Sequence, residues 1–193
     1  ARLREEIADG KVDIESLKED LDMISESATL IIQVKEQLIG AVREIKPRPV
    51  LFADVLQTAR LQRGISEKIL NVDIDLGAAY VIADSTQLTR ALGNILQNAA
   101  EAGAKTVKVS TRLTEERGLL EIDIEDNGAG MSDEVMRKVW SPFFTTRGVT
   151  HHGLGLPAAM HVVSQAQGRI ALVSREGKGT TVAMFMPKGH SND

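Results

Sequence analysis

The chain has 193 residues, 42% of them hydrophobic, with a formal charge of −4 and no cysteine. That length holds one ordinary domain with a full core plus something extra, and the absence of thiols excludes a disulfide framework and a thiolate metal site. Mild acidity without a Lys/Arg stripe argues against nucleic acid and membrane contact; with no apolar run near the roughly 20 residues of a bilayer span and no secretory signal, a cytoplasmic chain is expected, a membrane anchor elsewhere in a longer protein staying open.

Residues 1–8 are charged and helix-prone, and Asp9-Gly10 interrupts them. From Asp13 a long helix is predicted. Leu17, Leu21, Ile24, Ala28, Ile31, Leu38, Val42 and Ile45 follow a four-three spacing, with Lys35 as the polar intruder. Leu30, Ile32, Val34 and Ile39 widen that stripe toward a helical bundle rather than a two-stranded coil. One helix cannot bury such a face alone, so self-association as a homodimer through this N-terminal helix is expected, packing on its own domain being the alternative. Lys46-Pro47-Arg48-Pro49 then ends the helix, because closely spaced prolines favour extended chain.

A separate domain follows. Residues 52–62 read as a helix burying Phe52, Val55, Leu56 and Ala59, residues 69–76 as a strand and residues 80–83 as a short one. Asp84-Ser85-Thr86-Gln87 is a capping box opening a helix to Ala102, with Gly103 as its stop. Leu88, Leu92, Ile95 and Ala99 form its buried stripe. Asn94 and Asn98 lie beside that stripe, four residues apart, with Glu101 one turn on. Asparagine is a poor helix former. The pair reads either as solvated amides or as oxygen donors for Mg²⁺, a hard cation that arrives with phosphate and water.

Residues 105–113 form a strand, 115–118 a turn, and residues 119–131, LLEIDIEDNGAGM, the most telling stretch. Leu120, Ile122 and Ile124 alternate with Glu121, Asp123 and Glu125, then run directly into Asp126-Asn127-Gly128-Ala129-Gly130. This is either an acidic strand edge with a tight Asn-Gly turn or a carboxylate beside glycines that let a ligand approach the backbone, with Asp126 accepting from an adenine amino group. Ser132 can cap a short helix to Val139. Residues 140–147, WSPFFTTR, are aromatic, and residues 148–152 have no periodicity. Gly153-Leu154-Gly155-Leu156-Pro157 opens a helix that closes at Gly168. Strands at 169–174 and 180–187 are joined by a glycine-bearing hairpin, Val182, Met184 and Met186 point inward, and residues 189–193 are expected to be disordered.

A P-loop string is absent. A dinucleotide fingerprint at Gly153, Gly155 and Ala158 lacks its preceding strand, and at Gly128 and Gly130 it meets Asp133 in the third position. An Asn-bearing helix, Asp-x-Gly-x-Gly at a strand end, a loose segment, Gly-x-Gly at a helix start and a late Gly-x-Gly-Thr hairpin come in order. In that order they resemble the ATP-binding fold of sensor histidine kinases, gyrase, mismatch-repair ATPases and a chaperone family. The resemblance covers about residues 50–188. It implies an α+β class: a two-layer α/β sandwich (the Bergerat ATP-binding fold), preceded by a long helix of a dimeric helical bundle. The domain reading is therefore a partial dimerisation and phosphotransfer region at 1–46, a linker at 47–49, the catalytic ATP-binding domain at 50–188 and a tail at 189–193.

Hydrolysing members of that family resemble each other in carrying a Glu where this chain has Asn94, which cannot take a proton, so the chain looks like the kinase branch. Phe143-Phe144 is similar to the kinases' phenylalanine box. The resemblance implies ATP and Mg²⁺ as cofactors, with Asn98 on the metal and Asn94 near phosphate. It implies Asp126 on the adenine amine, with Gly128 and Gly130 shaping the base pocket and Thr180 near adenine. Phe144 would anchor a lid hinge, Arg147 would be a phosphate partner, and Gly153, Leu154, Gly155 and Leu156 would turn backbone N–H groups toward phosphates. His151 stands where many relatives have Gly. The family phosphorylates a His on the first bundle helix, then an Asp of a response regulator, the implied partner. The histidines here are His151, His152, His161 and His190, none before the linker, so the acceptor helix is expected outside these residues. An ATP-gated switch module or an anti-sigma-type serine kinase is the alternative.

Overall fold

The computed structural model describes residues 15, 18, 21, 23, 24 and 31, then 46–65, 71–75 (backbone), 79–114, 118–147 and 152–190. Contacts divide the chain into two compact units, Ala1–Ala41 and Val42–Asp193. In the first, all six described positions are helical. Three of them belong to the expected apolar stripe, and Leu21, Ile24 and Ile31 stay largely exposed, at 57%, 64% and 68%. Leu17, Ala28, Leu38, Val42 and Ile45 lie outside the described residues.

The second unit begins with β1 (Arg48–Leu51), which pairs antiparallel with β3 (Tyr80–Ala83) in a two-stranded ribbon. Arg48 and Pro49, expected in a linker, are thus half of β1. Proline is tolerated there because the strand has only one neighbour. Between them, α1 (Phe52–Gln62) buries the four predicted residues, and the Phe52 N–H donates to Ala79 O at 2.9 Å. A five-stranded sheet has the order β2 (Asn71–Asp75), β4 (Thr106–Leu113), β5 (Leu119–Asp126), β7 (Gly179–Pro187), β6 (Arg169–Arg175). Its β2–β4 pair is parallel and the rest antiparallel. Helices α2 (Ser85–Glu101) and α4 (Gly155–Gln165) complete the layer with α1, while α3 (Asp133–Lys138) is a short turn capped by Ser132.

The alternation in β5 decides which face is covered. Leu120, Ile122 and Ile124 join Val107, Val109, Val182, Met184 and Met186 against Phe52, Leu56, Leu88, Leu92 and Val163 in one core. The intervening residues face outward, where Arg112 makes a bidentate pair with Glu121 at 2.6 Å to each oxygen. The fold is the expected α+β two-layer sandwich.

Helix ends fix where the site's loops begin. Asp84 caps α2 by accepting from the N–H groups of Thr86 and Gln87. At the C-termini of α1, α2 and α4 the same paired closure recurs: Ile65 N to Arg60 O with Gly64 N to Leu61 O, Ala104 N to Ala99 O with Gly103 N to Ala100 O, and Gly168 N to Val163 O with Gln167 N to Ser164 O. The left-handed residue closing α4 is Gln167, at φ 59°, not the predicted Gly168. Past β7, Lys188 bridges to Val81 and buried Gly189 donates to Tyr80 O at 2.8 Å, so the expected loose tail does not begin at Gly189. Among the described residues, no helix is long and apolar enough to cross a membrane.

Candidate functional site

The central strand β5 delivers Asp126 at its C-terminal end, beside the C-terminal end of α2. Its Oδ1 accepts from the Gly128 N–H at 2.8 Å, and the Thr180 N–H of the neighbouring β7 also reaches the carboxylate. Half-burial nevertheless raises its pKa above the usual aspartate value; those two N–H donors pull the other way. A partly dehydrated carboxylate held by two backbone donors is a directed acceptor with capacity left for a ligand's amine.

The loop after it is tied down on both sides. Ala129 N donates to Ala102 O at 2.9 Å, Gly177 N donates to Ala129 O at 2.7 Å, and Asn127 Oδ1 accepts from the N–H groups of Lys105 and Thr106. Asn127 therefore pins the start of β4 rather than forming a simple hairpin turn. Gly130 has φ 67° and its missing Cβ would lie 2.1 Å from Arg175 O, so no other residue fits. Beneath the loop, Ser174 Oγ donates to Gly179 O, accepts from Met131 N and meets Thr180 Oγ1, each at 2.9 Å. Both hydroxyl residues are buried. Ser174 was not singled out in the sequence, although a serine on an otherwise apolar inward position was its signal.

At the other end, α2 presents its two amides differently. Asn94 is only 9% exposed. Its Oδ1 accepts from Arg63 Nη2, and its Nδ2 donates to Gly155 O at 3.2 Å. The Asn98 amide makes no hydrogen bond among the described residues, and its Nδ2 stands 3.8 Å from where a Gly155 Cβ would be. The nearest atoms to that position are Asn94 Cβ at 3.6 Å and Cγ at 3.8 Å, so both amides flank the start of α4. Among the described residues no cluster of His, Cys, Asp or Glu could hold a metal. Mg²⁺ takes hard oxygen donors, and the Asn98 amide oxygen, unpartnered among the described residues, is of the type that would serve as one.

Leu154 is the buried N-cap of α4, and no side chain caps the helix, so the N–H groups of its first turn point out of the helix without an intrahelical partner. Gly153, at φ 62°, packs so that a Cβ would lie 2.3 Å from Phe144 O. Phe143 N donates to Gly153 O at 3.2 Å, and Phe143 itself is left-handed at φ 67° and 57% exposed. The aromatic pair and the helix start thus meet on the two sides of residues 148–151, which with His151 lie outside the described residues. Phe144, half-buried, has Lys138 Nζ 5.9 Å from its ring centroid. Arg147 is ion-paired with Glu101 and reaches Asn98 O, while Gln97 Nε2 donates to Glu101 Oε1 at 2.9 Å. The predicted phosphate partner is therefore held at the end of α2 by a carboxylate. Leu156 is buried in the core, contributing its backbone only, and His161 and His190 are exposed.

Residues 83–190, more than half of the chain, match a family model described as histidine kinase-, DNA gyrase B-, and HSP90-like ATPase. The chain is 26% identical over 149 residues to sporulation kinase A of Bacillus subtilis, covering 77% of this chain and 24% of that protein. It is 29% identical over 175 residues to the sensory histidine kinase/phosphatase NtrB of Rhodobacter capsulatus, covering 81% of this chain and 49% of that protein. The mycobacterial sensor histidine kinase MprB superposes with a TM-score of 0.62 at 27% identity, over 74% of this chain and 97% of that one. Full-length ShkA in complex with AMPPNP shares the fold, at TM-score 0.67 and 20% identity, over 90% of this chain and 39% of that one. The chain spans about a quarter of the length of the first curated relatives it matches.

Proposed function

The chain belongs to the histidine kinase-, DNA gyrase B- and HSP90-like ATPase family, and from that membership we propose that it is the ATP-binding catalytic part of a two-component sensor histidine kinase. In this reading it transfers the γ-phosphoryl group of ATP to a histidine carried elsewhere, and a response-regulator aspartate receives it next. The similarity to proteins named as sensor histidine kinases supports the reading.

The single observation that carries it is that α2 links the Asp126 loop to the start of α4. Ala102, at its C-terminus, holds the Asp126 loop. Asn98 and Asn94 lie about 6 and 12 Å back along the helix, at about 1.5 Å per residue, where Asn94 meets the start of α4. That separation matches a nucleoside at one end and its phosphates at the other. Asp126 accepts from the adenine amine, with Gly128 and Gly130 shaping the base pocket by letting their loop pack closely on Ala102 and Arg175, and Thr180 lies beside it. The N–H groups of the turn from Gly153 to Leu156 receive phosphate oxygens at a helix N-terminus. Asn94 donates to phosphate and Asn98 offers its oxygen to Mg²⁺, which when bound supplies charge neutralisation on the transferred group. Phe144 sets the hinge of the intervening segment. Arg147 is within one ion-pair exchange of the phosphates. No carboxylate stands at position 94 to activate water, which favours transfer to a protein acceptor over hydrolysis. The exposed stripe of Leu21, Ile24 and Ile31 supports a homodimer through the N-terminal helix, and a cytoplasmic setting follows from ATP as substrate.

The test has two parts. Calorimetry should show the chain binding ADP and a Mg·ATP analogue. Supplied in trans with a helical domain bearing an acceptor histidine, the chain and labelled ATP should then place acid-labile phosphate on that domain. Nucleotide binding without any transfer would favour an ATP-gated switch, and no binding would refute the reading.

A further inference from the structure

Arg63 touches the site from a stretch that neither the motifs nor the proposed mechanism uses. It is the C-cap of α1, so its backbone is fixed by the closure in which Ile65 N donates to Arg60 O and Gly64 N to Leu61 O. From there its side chain crosses α2 directly over Gly93. A Cβ at Gly93 would lie 2.9 Å from Arg63 Nε and 3.3 Å from its Cγ. Glycine inside a helix is less favourable than alanine, and Gly93 sits in the middle of the helix carrying both site amides. The crossing arginine gives that unfavourable choice a physical reason.

The guanidinium ends on Asn94 Oδ1. Arginine is donor-only and the Gly155 carbonyl is acceptor-only. The Asn94 amide is therefore held in one orientation, oxygen toward Arg63 and NH₂ toward the start of α4. With one N–H on Gly155 O, its second N–H is the group left for a ligand, and its oxygen is withdrawn from metal coordination. Asn98, whose amide has no partner among the described residues, keeps its oxygen.

We propose that Arg63 is a positioning residue for the nucleotide phosphates: laid across Gly93, it fixes the Asn94 amide as a donor facing the N-terminus of α4. The inference rests on the ATP reading above and names a residue that assigns Asn94 its role. Arg63→Met keeps an aliphatic stem over Gly93 and removes the donor. It should weaken Mg·ATP-analogue binding by about 10-fold, the usual scale for a hydrogen bond involving a charged group, while the chain still melts cooperatively with Tm lowered by about a few degrees, because the buried Asn94 oxygen loses its partner. Arg63→Lys should recover part of the loss. Gly93→Ala should improve helix propensity yet weaken binding comparably, by displacing Arg63. The double variant should be no weaker than either single one, because both act through one contact. In ¹⁵N-labelled protein the Asn94 side-chain amide resonances should shift in Arg63→Met and in Gly93→Ala alike. Unchanged affinity in Arg63→Met, or losses that add in the double variant, would overturn this inference alone. A chain that binds no nucleotide would overturn the ATP reading and this inference with it.

Discussion

Asp126→Asn isolates the chemistry of base recognition from its shape. The amide is isosteric and keeps one oxygen, which can still accept from Gly128 N at 2.8 Å. Its NH₂ then faces the Thr180 N–H and the adenine amine, so two donors confront a donor. A hydrogen bond to a charged group contributes about 1.5–3 kcal/mol, which corresponds to a loss of about 10- to 150-fold in Kd. The fold is affected far less, because substitution removes a charge whose burial already raises its pKa. One weakened internal hydrogen bond amounts to about 1 kcal/mol, a Tm change within about 4 °C for a chain of this size. Calorimetric titration with ADP at neutral pH, paired with a thermal melt, separates the two effects. The unsubstituted chain has a further signature. Its affinity should fall as pH falls through a value above the ordinary aspartate pKa of about 3.9, since protonation removes the charge and turns one acceptor oxygen into a donor. A variant binding ADP within about threefold of the parent would refute the assignment of Asp126.

Asn98→Ala should remove most of the Mg²⁺ dependence of ATP-analogue binding, a loss of about 10-fold, while metal-free ADP binding is retained; titrations with and without Mg²⁺ read this out. Ser174→Ala leaves the Met131 N–H and the Gly179 carbonyl without their buried partner and should cost about 1–3 kcal/mol in urea unfolding. On the outer face of the sheet, the Arg112 hydrogen bond holds the Glu121 pKa below 4.5. A lowered folded-state pKa means stability that is fully present above the unfolded value and lost as pH falls through the folded one. Glu121→Gln should therefore flatten the acid limb of a stability–pH curve, whereas burial of Asp123, which raises its pKa, works in the opposite direction.

What the sequence made legible was local. Period-two alternation in residues 119–126, the Asp84 and Ser132 caps and the order of the glycine boxes each depend on neighbours within a few residues. The structure places them as read, with Asp126 at the end of β5. What was not legible depends on distant partners. Arg63 lies 31 residues before Asn94, in a stretch with no motif, and its trace was Gly93, an unfavourable residue for a helix interior. Ser174 and Thr180 meet because β6 and β7 pair in register, which no periodicity announces. Gln167 takes the left-handed turn that glycine was expected to take, because the closure needs φ 59° one residue before Gly168. Arg147 was read as a phosphate partner, and the fold pairs it with Glu101.

The two helix amides divide the chemistry of the proposed site, and the division bears on where the phosphoryl group can go. Asn98 keeps its oxygen for a cation and Asn94 has surrendered its own to Arg63. Activation of water needs a group at position 94 that can accept a proton, and neither the amide nor the guanidinium beside it does. Even a carboxylate substituted at that position would stand within reach of Arg63. Its pKa would be held down by the neighbouring positive charge, leaving it a weak base. Under the proposed ATP reading, the residue at 94 and the arginine reaching it from α1 thus act in the same direction, against hydrolysis and toward transfer to a protein acceptor.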